Sequence, residues 1–305
     1  MRNSKGIFTW LLVFCLVSAS EARSKMGNST FDIEGHRGAR GLYPENTVTA
    51  FIEALKLGVT TLEMDIVVSA DNRLVVSHDP WMNDAFCSKP DGTPVEKETK
   101  EKYNLYKMSY AEIAKFDCGK RGNSNFPLQK AIPEHKPLLS EVITKVEDYI
   151  KQHHLKPVHY NIETKSEEGL DGTFNPAPAA FIQLLYSELK KQNILQRCII
   201  QSFDIRTLQA LQKINPKIKT ALLVENTNGV KANLDALGFT PSIYSPDFHL
   251  VNKEMTDYLH QHHIQLIPWT VNETSDIERM IESGVDGIIS DYPNRVIDII
   301  KSKNK

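Results

Sequence analysis

Three carboxylates and two histidines stand where apolar runs of the chain end, and together they could support metal-assisted acid–base chemistry. Glu63 and Asp65 alternate along one run, so both side chains point to the same face of a strand. His36, His78 and Glu163 end other runs. Carboxylate oxygens suit Ca²⁺ or Mg²⁺, and two histidines can supply one base and one acid. The pattern predicts a divalent-cation site with proton-transfer groups beside it.

Positively charged side chains are spaced to join this group. Arg37 directly follows the first histidine, and Lys165 lies two residues beyond the last carboxylate, on the same strand face. A guanidinium and an ammonium next to a cation site favour an anionic substrate such as a phosphate ester. Gln201 and Trp269 end two more apolar runs, and they either line the same pocket or fill the core. Each residue alone is a weak signal, and their convergence carries the prediction.

Strand-like and helix-like segments alternate along the chain, which is typical of a parallel sheet with helices between its strands. No linker, repeat or charge block divides residues 21–305, so we predict a single domain. Nine strand-like segments indicate an α/β fold, a (β/α)8 TIM barrel with one strand to spare. The predicted strands are Phe31–Gly35, Thr61–Asp65, Leu74–Ser77, Val158–Glu163, Cys198–Ser202, Thr220–Val224, Ser242–Tyr244, Ile264–Thr270 and Gly287–Ser290, and helices include Asn46–Leu57, Leu139–His153, Ala177–Gln192, Ile205–Ile214 and Ile277–Glu282.

The spare strand, Leu74–Ser77, is predicted to form an antiparallel hairpin with the end of the second strand. The residues between them, 70–73, are typical of a turn. A turn centred on the middle of this segment pairs Asp65 with His78, at the barrel end where active sites are built.

The first predicted helix begins beside these residues. Asn46 is expected to cap it, and Gly58 is expected to end it. Glu45 either contacts the site or only complements the helix dipole.

The segment 80–133 interrupts the alternation directly after His78. It has little periodicity and is rich in lysine, glutamate, proline and aromatic residues. A segment of this length without regular structure is usually functional or disordered. We expect it to cap the barrel mouth and cover the substrate, the alternative being an insertion without a role in binding.

Residues 1–20 read as a secretory signal peptide. Arg2 and Lys5 precede the apolar run Ile7–Val17, which is too short to span a bilayer, and small residues follow. We therefore expect an exported protein, periplasmic or secreted. In that setting Cys87 and Cys118 could form a disulfide, with Cys198 buried and free, although three free thiols fit the sequence equally well.

Composition excludes several classes of protein. The chain has 305 residues, with 36 Lys and Arg against 38 Asp and Glu. This balance lacks the basic excess expected of a nucleic-acid-binding protein. No run after residue 20 is apolar enough to span a membrane, so we predict no stable membrane insertion and a small-molecule partner. The oligomeric state stays open.

Taken together in chain order, these motifs resemble the glycerophosphodiester phosphodiesterase family, in its periplasmic type. The resemblance runs from about Glu34 to Pro293 and rests on His36-Arg37-Gly38, Pro44-Glu45-Asn46-Thr47, Glu63-Met64-Asp65, His78-Asp79, Asn161-Ile162-Glu163-Thr164-Lys165, Gln201-Ser202-Phe203-Asp204, Trp269-Thr270-Val271-Asn272 and Asp286-Gly287-Ile288-Ile289.

The resemblance implies a barrel hydrolase that splits glycerophosphodiesters into glycerol 3-phosphate and an alcohol, and it implies that the segment after His78 covers the glycerol end of the substrate. It implies attack on phosphorus by the substrate's own glycerol hydroxyl, followed by hydrolysis of a cyclic phosphate. Two alternatives remain: a related barrel phosphodiesterase acting on another phospholipid head group, and a non-catalytic barrel that binds metal or phosphate. The roles implied are His36 and His78 as acid and base, Arg37 and Lys165 as phosphate ligands, and Glu63, Asp65 and Glu163 as ligands of one divalent cation, Ca²⁺ or Mg²⁺.

Overall fold

Eight parallel strands form the barrel in the computed structural model, which describes residues 31–97 and 101–303. The predicted signal peptide lies outside these residues. The strands are β1 (Asp32–Gly35), β2 (Thr61–Val68), β3 (Leu74–Val76), β4 (His159–Thr164), β5 (Cys198–Ser202), β6 (Lys219–Val224), β7 (Ile243–Pro246), β8 (Gln265–Leu266) and β9 (Gly287–Ser290). Neighbouring strands follow the order β8-β7-β6-β5-β4-β2-β1-β9, and β3 lies outside this order, antiparallel to β2.

The ends of this sheet meet, which nearly closes the barrel and confirms the predicted fold class. The amide of Ile289 donates to the carbonyl of Pro268, and that of Val271 donates to the carbonyl of Ile289, both at 3.0 Å. Helices follow most strands and cover the outside of the barrel. Those in the described residues are α1 (Val48–Leu57), α2 (Tyr110–Ile113), α3 (Leu139–Gln152), α4 (Pro178–Lys191), α5 (Ile205–Ile214), α6 (Val230–Leu237), α7 (Lys253–Gln261), α8 (Thr274–Glu282) and α9 (Pro293–Lys303).

Helix α1 begins one residue later than the predicted cap requires. Thr47, in extended conformation, caps it by accepting a hydrogen bond from the amide of Ala50, so the prediction that Asn46 is the cap was wrong. Asn46 instead adopts a left-handed conformation, φ 57°, and donates to Asp65 at 2.8 Å. Gly58 ends the helix in the left-handed region, as predicted.

The β2–β3 hairpin forms as predicted, but its register differs by one residue. Its loop has three residues and closes with a hydrogen bond from the amide of Ser69 to the carbonyl of Arg73, while Asn72 is left-handed, φ 56°. Ser77 therefore lies opposite Asp65, where His78 was predicted, and its amide donates to the Asp65 carbonyl at 3.0 Å. His78 follows immediately, beyond the end of the hairpin.

The barrel interior has an apolar side and a polar side. On the apolar side, side chains from five strand segments pack together beneath Trp269: Ile199, Ala221, Ile243, Ile267 and Ile289. Buried polar side chains from β1, β2, β4 and β5 fill the other side, among them Glu34, Glu63, Asn161 and Gln201. The candidate site residues thus belong to the polar side of the barrel.

The predicted insertion, 80–133, builds a small core of its own. Its buried residues pack on Val67 and Val75 of the hairpin, and a disulfide joins Cys87 to Cys118, while Cys198 is buried and unpaired. The members within the segment are Met82, Phe86, Cys87, Val95, Leu105, Ile113, Phe116 and Cys118.

The insertion also holds the loop between β4 and α4. Asn104 donates to the carbonyl of Thr173 at 2.8 Å, and Lys107 donates to that of Gly172 at 2.9 Å. The ring of Trp81 meets that of Phe174 edge to face, with centroids 5.8 Å apart. The insertion thus reaches the mouth of the barrel from one side and braces a neighbouring loop.

Candidate active site at the carboxyl ends of the strands

Glu63, Asp65 and Glu163 converge at the carboxyl end of β2 and β4. Asp65 and Glu163 are direct neighbours in the sheet, and Glu63 lies two residues before Asp65 on the same face of β2. One oxygen from each carboxylate lies within 4.8 Å of the other two, and all three residues are buried. An all-oxygen set of this kind suits a hard divalent cation and not a soft metal.

The electrostatics of the three carboxylates also fit a cation. Burial is the largest cause that raises the pKa of Glu63 and of Glu163, and the charge of Asp65 adds to both. Burial acts the same way on Asp65. The positively charged side chains nearby, Arg37 foremost, outweigh this effect and hold the pKa of Asp65 well below its usual range. Its Oδ1 atom is buried without a hydrogen-bond partner, 3.9 Å from Lys165 Nζ. A bound cation would relieve the crowding and satisfy this oxygen.

Arg37 is held in an unusual backbone conformation beside the carboxylates. Its φ is 49°, and its amide donates to Glu63 Oε2 at 2.8 Å. Its guanidinium lies 3.2 Å from Asp65 and donates to Glu45 at 2.8 Å, so Glu45 contacts the site. The turn is tight because Gly38 has φ 87° and a Cβ there would lie 2.7 Å from that of Ala50.

Lys165 faces the same carboxylates from β4. Its Nζ donates to Glu163 Oε1 at 2.6 Å, and the side chain is largely buried. Together with Arg37 it gives the site two fixed positive charges, as the sequence predicts.

His36 is oriented by a residue that sequence reasoning missed. Its Nδ1 lies 2.6 Å from Asp291 Oδ1, while its Nε2 faces Glu63 Oε2 at 4.0 Å. Arg40 and Asn272 donate to the carboxylate of Asp291 and hold it in place. Burial, followed by the charge of Arg40, lowers the pKa of His36 to about 4, although Asp291 acts to raise it. His36 is therefore neutral at pH 7 and can accept a proton.

His78 has a partner of the same kind next to it in the chain. Its Nδ1 lies 3.0 Å from Asp79 Oδ1, and the other oxygen of Asp79 accepts from Asn83 at 2.6 Å. About a third of the His78 side chain, 34 %, is exposed, compared with 12 % for His36. With Nδ1 engaged, the Nε2 atom of each histidine is the one free to act on a substrate.

Two cavities meet at these residues. The inner cavity, about 200 Å³, is lined by His36, Arg37 and Arg40 together with Trp269 and Ile289. The outer groove, about 480 Å³, runs towards the insertion and is lined by Pro80, Trp81, Ser166, Glu167, Leu170, Asn175 and Glu225 among others. His78, Glu163, Lys165 and Phe203 line both.

The two remaining predicted residues also lie here. Gln201 lines the inner cavity, and its Nε2 donates to Glu63 Oε1 at 2.7 Å. Trp269 lines the same cavity, donates to the carbonyl of Ser245 at 2.9 Å and meets Phe203 edge to face. Asp291, Arg40 and Asn46 were missed, and the available signal was that Asp291 directly follows the last strand.

Comparison with known proteins agrees with this arrangement. A glycerophosphodiester phosphodiesterase of Caldanaerobacter subterraneus is 30 % identical over 266 residues, which is 87 % of this chain and 96 % of that protein. One from Bacillus subtilis is 27 % identical and covers 91 % of this chain and 89 % of its own. A solved structure from Silicibacter pomeroyi, of a protein assigned to the same family, superposes with a TM-score of 0.80 at 28 % identity, covering 90 % and 95 % of the two chains.

The family model for glycerophosphoryl diester phosphodiesterases matches residues 36–295, from the first catalytic candidate into the last helix. This span contains both histidines, the three carboxylates and the positively charged side chains of Arg37 and Lys165. The chain therefore belongs to the glycerophosphoryl diester phosphodiesterase family of enzymes.

Proposed function

We propose that the protein hydrolyses glycerophosphodiesters to glycerol 3-phosphate and an alcohol, with the help of one divalent cation. The observation that carries this proposal is the placement of the three carboxylates, Arg37 and Lys165 between two cavities, one for each arm of a phosphodiester. An Oleispira antarctica phosphodiesterase that was solved with the product sn-glycerol-3-phosphate shares the fold, with a TM-score of 0.68 at 21 % identity.

The two cavities differ in size, and this difference supports a placement of the two arms. The inner cavity is the smaller of the two, about 200 Å³, so we place the glycerol arm there and not, as the family resemblance implies, beside the insertion. The outer groove is more than twice as large, and it suits alcohols of different size. The phosphate then lies at the border, where Arg37 and Lys165 can hold its oxygens.

This placement also assigns the histidines. His36 lines only the inner cavity, so its neutral imidazole can take the proton from a glycerol hydroxyl as that oxygen attacks phosphorus. His78 lines both cavities, so it can donate a proton to the departing alcohol in the groove. Hydrolysis of the resulting cyclic phosphate reverses the two roles, with water entering from the groove.

Glu63, Asp65 and Glu163 would hold the cation. When bound, a divalent cation supplies charge stabilisation for the phosphoryl oxygens of the transition state. Lys165 and Arg37 balance the carboxylates on either side, and Gln201 keeps one oxygen of Glu63 in place.

The test is release of glycerol 3-phosphate from a panel of glycerophosphodiesters, with and without a chelator. We expect product from the panel with Ca²⁺ or Mg²⁺ and none after chelation. Binding of the diesters without product would support the non-catalytic alternative. Turnover of lysophospholipids or phosphoinositides alone would support the alternative of another head group.

Asp291 gives a first prediction within this mechanism. Asp291→Asn is expected to lower kcat about 10²-fold, because an amide no longer fixes one tautomer of His36. Asp291 raises the pKa of His36, so its removal lowers that pKa further below about 4. The acidic limb of the kcat/KM profile, where the base becomes protonated, should therefore move to lower pH. An unchanged profile together with an unchanged kcat contradicts this role.

The charges of the outer groove give a second prediction. Glu167 and Glu225 line it, and neither has an ion-pair partner within residues 31–97 and 101–303. Next to the exposed ring of Phe203, such carboxylates favour a cationic alcohol such as choline or ethanolamine. The double variant Glu167→Gln, Glu225→Gln should lower kcat/KM about fivefold for a choline diester relative to a glycerol diester.

The matched control for this prediction is Glu168→Gln. Glu168 is the exposed neighbour of Glu167 and does not line the groove, so this variant removes one negative charge close to the groove and leaves its lining unchanged. We expect the ratio of the two kcat/KM values to stay at the wild-type value in this control. Equal ratios in the control and the double variant would count against charge selection by the groove.

We also propose that the protein acts outside the cytoplasm. The disulfide between Cys87 and Cys118 supports this proposal, because disulfides persist in oxidising compartments. Within the described part of the chain, the structure contains no helix with the length and apolar character needed to cross a bilayer.

A further inference from the structure

Glu34 is a fully buried carboxyl group on β1, two residues before His36 and outside the set of cation ligands. Its Oε1 atom has no hydrogen-bond partner. An acidic side chain in such a position is costly unless it is neutral or does something for its neighbours. Burial raises the pKa of Glu34 well above its usual range, and the charge of the nearby Asp32 adds to the effect.

A chain of hydrogen bonds leads from Glu34 to the cation site. Asn161 Nδ2 donates to Glu34 Oε2 at 2.7 Å and to Gln201 Oε1 at 3.1 Å. Gln201 Nε2 then donates to Glu63 Oε1 at 2.7 Å. All four side chains are at least nine-tenths buried, so water cannot substitute freely for any of these bonds.

The direction of these hydrogen bonds is set at Glu34, where the series begins. An amide side chain presents either its oxygen or its nitrogen, and rotation by 180° exchanges the two. Asn161 presents its nitrogen because Glu34 Oε2 accepts there, and this leaves the second hydrogen for Gln201 Oε1. Gln201 must then point its own nitrogen at Glu63. If both amides were rotated by 180°, the amide oxygen of Gln201 would face the carboxylate oxygen of Glu63.

We propose that Glu34 is a positioning residue that fixes the direction of the two amides, so that Gln201 always offers a donor to Glu63. This inference rests on the proposed function in one respect, since Glu63 acts there as a cation ligand. Glu63 Oε2 is already held by the amide of Arg37 at 2.8 Å. The relay of hydrogen bonds from Glu34 through Asn161 and Gln201 therefore secures the second oxygen, Oε1. Both oxygens are thereby oriented before a cation binds.

The test compares two replacements of Glu34 with different acceptor capacity. Glu34→Gln keeps an oxygen of the same size and position, so its activation constant for Mg²⁺ should stay within about threefold of wild type. Glu34→Met has similar volume and no comparable acceptor, so the constant should rise about tenfold or more. The value of kcat at saturating Mg²⁺ should change far less, which a general loss of packing would not produce.

A double variant separates the relay from independent effects. If Glu34 acts through Gln201, then Glu34→Met added to Gln201→Met should have little further effect on the activation constant. Additive effects, or an unchanged constant in Glu34→Met, overturn the proposal. Should Glu34→Met fail to fold, Asn161→Leu breaks the relay one step later and is expected to raise the constant by a similar factor.

A binding measurement distinguishes this proposal from the proposed function. Calorimetric titration of Ca²⁺ into the wild-type protein and the Glu34 variants reads the site without turnover. Cation binding with the expected order, wild type and Glu34→Gln above Glu34→Met, supports the relay even if the diester panel shows no product. Turnover of the panel with equal Ca²⁺ affinity in all variants overturns the relay alone.

Discussion

Replacing His36 or His78 by alanine is expected to lower kcat by about 10³- to 10⁴-fold, the upper range for loss of a general acid or base. Each imidazole has one nitrogen held by an aspartate and the other free towards a cavity. No other histidine lines either cavity within the described residues, so no substitute is at hand. The measurement is steady-state release of glycerol 3-phosphate, with thermal unfolding as the check on folding.

A change of leaving group distinguishes the two histidines. A nitrophenolate leaves without needing a proton, so a nitrophenyl diester should restore much of the rate of His78→Ala and none of that of His36→Ala. His262→Ala serves as the control, because His262 is exposed at the end of α7, where its ring stacks on Tyr258 and bonds to the carbonyl of that residue. Near-normal turnover in either alanine variant of the active-site pair contradicts the assignment, and rescue of His36→Ala reverses the two roles.

Removal of the cation, or of one of its ligands, is expected to reduce activity by about 10³-fold. Several kcal/mol of transition-state stabilisation come from such a cation, and each 1.4 kcal/mol corresponds to a factor of about ten. Glu63→Gln and Glu163→Gln should show this loss at cation concentrations that saturate the wild type. The chelated wild-type enzyme should recover on addition of Mg²⁺ or Ca²⁺, and the variants should not.

The stability of the same variants should move in the opposite direction. Without a cation, burial and mutual repulsion raise the pKa values of Glu63 and Glu163, so an amide at either position relieves an unfavourable arrangement. The cation-free Glu63→Gln protein should therefore unfold at an equal or higher temperature than the cation-free wild type. It should lose the further stabilisation that the wild type gains from Ca²⁺. Asp235→Asn, on the exposed face of α6, is the control, with unchanged behaviour expected in both assays.

The site could be predicted largely because it follows from alternation along single strands. Glu63 and Asp65 share a face in any extended strand, and so do Glu163 and Lys165. The pairing of His36 with Asp291 could not be found this way, because these residues are 255 positions apart and meet only when β9 closes on β1. Long-range closure has no local signature in composition or periodicity.

The errors have local causes of the same kind. The hairpin was predicted with its turn centred between Asp71 and Asn72, but Asn72 takes a left-handed conformation and the loop has three residues. The predicted register was therefore wrong by one residue. The small core of the insertion was missed for another reason, since scattered apolar residues, one short helix and a disulfide build it without a periodic pattern.

The bracing of the β4–α4 loop by the insertion has a consequence for how such enzymes diversify. The reacting groups belong to the barrel strands and their immediate ends, whereas one wall of the outer groove comes from Trp81 and from a loop that Asn104 and Lys107 hold in place. Exchange of segment 80–133 between relatives, together with its partner loop, would transfer the specificity for one leaving alcohol to the recipient enzyme. The reacting groups would stay unchanged, so substrate range could evolve through changes outside the barrel strands.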